Sequence, residues 1–180
     1  MAGKSAFSPS EWKKVAQAPL LAGFAVSAAD PSGFLGLLQE AFAEMRALSH
    51  ARGAGGGELI RVVAGELLTS SGRADAREGV RTITQGATLD EIKTRSLAAL
   101  EEIGSVVEAK APGEAHEFKV WLIEIARSVA EAGLEDTFLG FGGIRMSEKE
   151  KATLGELSHI FRLEASEEPL GPTPPSEPSA

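Results

Sequence analysis

Three histidines, a few acidic turns and one glycine-rich stretch are the residues best suited to chemistry in this chain of 180 residues. Glu156-Leu157-Ser158-His159 is an E-x-x-H pair, a spacing that puts a carboxylate and an imidazole on one helix face, as in di-iron bundles. Such a site needs a second pair and two further glutamates. Ala47 and Gly113 stand three positions before His50 and His116, so no second pair exists. His116-Glu117 lacks the second histidine of a zinc-binding H-E-x-x-H. The histidines therefore read as surface residues. With no cysteine there is no thiolate nucleophile, disulfide or Cys-ligated metal, and no G-x-S-x-G elbow occurs. The sequence names no catalytic residue and no cofactor, which leans toward a non-enzymatic protein.

The glycine-rich stretch is FLGFGG, from Phe138 to Gly143. Phosphate loops follow a strand and end in a G-x-G-x-x-G or Gly-Lys-Ser/Thr pattern. Here the pattern is G-x-G-G, an apolar-periodic stretch precedes it, and the next helix opens on glutamate, which repels phosphate at a helix N-terminus. Its first reading is a tight reversal whose phenylalanines fold back on a core. Its second is a contact for a small ligand or partner through Phe138, Gly140, Phe141, Gly142 and Gly143. The GAGGG stretch before Glu58 lacks the lysine as well and reads as a linker.

The elements that position these residues are helical by pattern. Apolar side chains recur near every 3.6 positions in Phe34–Leu48, Leu59–Leu67, Leu89–Val107, Phe118–Val129 and Leu154–Phe161. No stretch alternates with a period of two. Ser8-x-x-Glu11, Thr88-x-x-Glu91 and Ser147-x-x-Glu150 are capping boxes, and Asp30-Pro31 is a fourth start. For stops, Pro19 is expected to break or kink the first helix, Gly72 to close the one beginning near Glu58, and Pro112-Gly113 to separate the two longest. The charged region from Arg73 to Gln85 reads as a short helix or loop. The Phe118–Val129 helix, apolar also at Val120 and Ile123, is expected to be the central one.

These marks predict an all-α fold: a single compact bundle of six to eight helices over residues 1–164, then a disordered Pro/Ser/Glu-rich tail over 165–180. The tail's two P-x-x-P spacings lack flanking basic residues and carry acids, which argues against SH3-type recognition.

The segment around Asp30 and the segment around Asp136 share a layout. An alanine-rich helix runs into an acidic turn with Phe-Leu-Gly, and a glutamate-rich helix follows. Over some 40 residues this resembles the TerB-like, tellurite-resistance and stress-associated helical proteins, in which an acidic loop binds cations. The resemblance implies that Asp30, Glu135 and Asp136 contact a divalent cation or a partner. Pro31 replaces the family's loop glycine, and FLGFGG is inserted before Ser147.

The formal charge is −8, with 26 acids against 18 scattered bases, which disfavours nucleic acid and anionic membrane surfaces. The APLLAGFAVSAA run is too short to span a bilayer. It resembles an export signal, but Glu11, Trp12 and Pro19 are misplaced for one. The resulting expectation is a cytoplasmic binding or scaffold protein, with homo-oligomerisation through the Trp121 helix as one arrangement. The alternative is a helical enzyme or ligand carrier with an apolar pocket floored by Trp121 and Phe141.

Overall fold

The computed structural model describes residues 3–29, 57–132 and 146–163. The described residues form an all-α bundle: α1 (Pro9–Ser27), α2 (Glu58–Leu68), α3 (Ser70–Thr84), α4 (Leu89–Lys110), α5 (Pro112–Ala132) and α6 (Glu148–Ile160), with a 3-10 turn at Lys4–Ala6 before α1. The tail lies outside the described residues.

All three capping boxes form. The hydroxyls of Ser8, Thr88 and Ser147 accept from the amides of Glu11, Glu91 and Glu150, whose carboxylates accept from the cap amides in return. Local chemistry thus starts α1, α4 and α6, at about 1 kcal/mol each.

Helix α1 touches each of the other five and is the hub of the bundle. Its middle, from Ala18 to Val26, is buried except at Gly23. This bears on two expectations. Of the break or kink expected at Pro19, the break does not occur, since the helix continues to Ser27. An interior proline costs about 3 kcal/mol, and enclosure of α1 by five neighbours outweighs that. Among the described residues the hub is α1 rather than the Trp121 helix, but α5 is covered on most sides, as expected: no residue from Phe118 to Ala126 is exposed, and Val120 and Ile123 are half-buried.

One further expectation fails at the α2–α3 corner, and an open one is decided there. The helix from Glu58 ends at Leu68, and Gly72 lies inside the next one. Thr69 serves both ends: its hydroxyl donates to the Glu66 carbonyl at 2.7 Å and accepts from the Gly72 amide at 2.9 Å. The charged region is a 15-residue helix, α3. Ala76 is buried and Val80 and Ile83 are half-buried against the core, while Asp75, Arg77, Glu78 and Arg81 are exposed.

Gly57 caps α2 without a side chain. The missing cap comes from α5, where the Glu114 carboxylate accepts from the Leu59 amide at 2.6 Å. A negative group at a helix N-terminus is favourable through the helix dipole as well as the hydrogen bond. At the other end of the chain, α6 closes with the Arg162 amide on His159 O and the Leu163 amide on Ser158 O, a Schellman motif. Arg162 supplies the left-handed residue at φ 54°.

Gly65 sits exposed in the middle of α2, and a Cβ there would meet nothing within 4 Å. Gly65→Ala is expected to stabilise the protein by about 1 kcal/mol, by helix propensity alone. Thermal melting should show a rise of about 2–4 °C.

Candidate functional site

The sequence-based candidates Asp30, Glu135, Asp136, Phe138, Gly140, Phe141, Gly142 and Gly143 all lie outside the described residues. Among the described residues, no group of three or more His, Asp or Glu is placed to hold a metal ion. Glu156 of the E-x-x-H pair faces α4, paired with Lys93 at 2.8 Å. Trp121 is fully enclosed, its ring centroid 5.8 Å from that of Phe118 and its Nε1 without a hydrogen-bond partner. It is a core residue and does not line the cleft described next.

That cleft, of about 320 Å³, opens between α1, α3 and α4. Its geometry follows from how the three helices register. α3 runs parallel to α1, one contact per turn. Lys13 pairs with Asp75 at 2.9 Å. Gln17 lies against Gly79, where a Cβ would sit 2.0 Å from its Oε1. Leu21 and Ile83 line the cleft one turn further along. α4 runs antiparallel to α1, with Lys110 on Glu11 at 3.7 Å and Lys14 on Glu102 at 2.6 Å. α1 therefore forms the base, and α3 and α4 form the walls.

The cleft has two chemically distinct zones. Leu21, Ile83, Ala99 and Ile103 offer apolar surface. Lys13 and Lys14 from the base, Asp75 and Glu78 from one wall, and Glu102 from the other place both signs of charge around it. Glu78 is paired with Arg81 at 3.3 Å. The Lys13–Asp75 and Lys14–Glu102 pairs have side chains about half exposed (47 and 53 %, 50 and 58 %). Pairs in such settings contribute about 0–1 kcal/mol and rearrange cheaply.

Sequence reasoning missed this site because no one segment carries it. The hint available was the adjacent pair Lys13-Lys14 on an otherwise apolar helix, read there as part of a signal-like run. Partners 62 and 88 positions away, Asp75 and Glu102, are legible only after folding.

No described helix is long and apolar enough to cross a membrane. In comparison with known proteins, no family model, no curated protein and no solved structure matches this chain.

Proposed function

We propose that this chain is a non-enzymatic helical binding protein whose ligand enters the cleft between α1, α3 and α4. The observation that carries the reading is the pairing of an apolar interior with a rim of both charges. Small-molecule sites are concave and largely apolar, with a few placed polar groups. The cleft sits on three helices packed through the hub, so it is built on a rigid frame. The same feature supports the ligand-carrier version, in which a small molecule rather than a protein occupies it.

The TerB-like layout of the acidic turns supports a stress-associated form of this proposal, with Asp30, Glu135 and Asp136 as a second contact for a divalent cation or partner. Dialysed protein is then expected to melt at higher temperature with Ca²⁺, Mg²⁺ or Zn²⁺, and an Asp30→Ala, Asp136→Ala double variant to lose that shift. No shift with any of the three removes the cation contact.

The cleft itself is tested with Ala99→Phe, which places a ring into it from a half-buried position on α4. Native mass spectrometry of protein taken directly from its host should show a bound mass in the wild type. The variant, folded by circular dichroism, should lack it. A bound mass retained by the variant, or none in either protein, would sink the cleft as the binding site.

A further inference from the structure

The charges around the cleft restrict what can occupy it, and the restriction rests on the reading just given. A ligand carrying only a negative charge meets three carboxylates, from Asp75, Glu78 and Glu102. One carrying only a positive charge meets two ammonium groups, from Lys13 and Lys14. Each is attracted by one set and opposed by the other, at side chains about half exposed. A ligand with both signs and an apolar branch satisfies every part of the lining. At about 320 Å³ the cleft lies at the lower end of small-ligand sites. We propose that it takes a small apolar zwitterion of the α-amino-acid class.

In that pose the apolar side chain lies against Leu21, Ile83, Ala99 and Ile103. The carboxylate lies toward Lys13 and Lys14. An ammonium has three N–H donors, so each lysine can keep its acidic partner and still donate to a ligand. The ligand's own ammonium lies toward Glu78, the rim carboxylate not held by either lysine. Gln17, which can both donate and accept, lies at the midpoint of the base. The absence of a side chain at Gly79 is what leaves room for its amide there.

The test is an NMR titration of the full chain with L-leucine and its two truncated analogues, 4-methylpentanoate and 3-methylbutylamine. Leucine should shift the amides of Gln17, Gly79 and Ala99. Each analogue, having lost one charge-assisted contact, should bind about tenfold more weakly. Glu78→Gln should weaken leucine about tenfold and leave 4-methylpentanoate no weaker. The double variant Lys13→Gln, Lys14→Gln should weaken leucine and leave 3-methylbutylamine no weaker. A merely structural role for these charges would not split the ligands in this way.

Analogues that bind as tightly as leucine, or cleft amides that do not move at millimolar leucine, overturn the zwitterion assignment. If a host-derived mass is still displaced by Ala99→Phe in that case, the cleft remains a binding site for another class. If the mass is retained, both the assignment and the cleft fall.

Discussion

Gly72→Ala is expected to destabilise the protein by about 3 kcal/mol, the upper part of the range for overpacking a tight site. A Cβ at this position would lie 2.1 Å from the Glu66 carbonyl oxygen and 2.7 Å from its carbon. Both are backbone atoms of the preceding helix, so no rotamer change relieves the overlap. The corner cannot simply open. Thr69 alone connects α2 to α3, its hydroxyl bonds to both helices, and Arg73 Nη1 donates to Leu68 O at 2.6 Å. Widening the corner would also disturb the Glu66 carboxylate, which accepts from Lys4 Nζ at 2.8 Å and Trp12 Nε1 at 3.3 Å. The helix-propensity gain of about 1 kcal/mol is too small to reverse the sign. Melting should fall by about 6–12 °C. Gly65→Ala is the internal control, being the same substitution seven residues earlier with open space around it. Opposite shifts for the two glycines are expected; equal shifts would mean the corner yields.

Glu108→Gln is expected to cost about 2 kcal/mol at neutral pH. The Lys119 side chain is 5 % exposed, and its ammonium donates to Glu108 and to the Phe161 carbonyl oxygen at 3.3 Å. It also lies 5.9 Å from the centre of the Phe161 ring. Lys119 therefore ties α4, α5 and the end of α6 together. Removing one partner of a buried pair typically costs 3–5 kcal/mol, and the figure here is lower because the Glu108 side chain is 44 % exposed.

The hydrogen bond from Lys119 holds the Glu108 carboxyl below its usual 4.5, with the Lys119 and Arg162 charges adding to it and desolvation opposing. A carboxyl whose value is depressed by folding contributes stability above the unfolded value and loses it as pH falls through the folded one. The wild type should therefore lose this contribution in acid below pH 4.5, while Glu108→Gln lacks it throughout. Urea midpoints of the two proteins should differ at pH 7 and converge as the pH is lowered from 4.5 through the depressed folded-state value of Glu108. Glu11 and Glu91, also lowered by their caps, titrate in both proteins and cancel in the comparison. A difference that stays constant down to the lowest pH at which both proteins fold would show that the carboxylate charge is not what matters.

How far each feature could be read in advance tracks the distance over which it is made. Ser8, Thr88 and Ser147 act on residues three positions away, so their boxes were legible and all formed. The stripe through Phe118, Trp121 and Ile125 announced its own buried face. Pro19 and Gly72 misled because their local meaning is to stop a helix. Both positions answer instead to a neighbour: the enclosure of α1 in one case, the Glu66 carbonyl in the other. Gly57 read as linker, while its helix is capped at the Leu59 amide by Glu114 from 55 positions away. The candidate acidic turns and FLGFGG lie outside the described residues.

What this sequence determined by itself was helical class and several helix starts, because a backbone hydrogen bond and an apolar period reach only a turn or two along the chain. Which helix became the hub, how α3 lay down parallel to α1, and where opposite charges met around an apolar cleft were decided by tertiary packing alone. Burial rewards whichever faces meet. The charges of Lys13, Lys14, Asp75 and Glu102 were carried to one another by that packing, with no signal in the intervening residues.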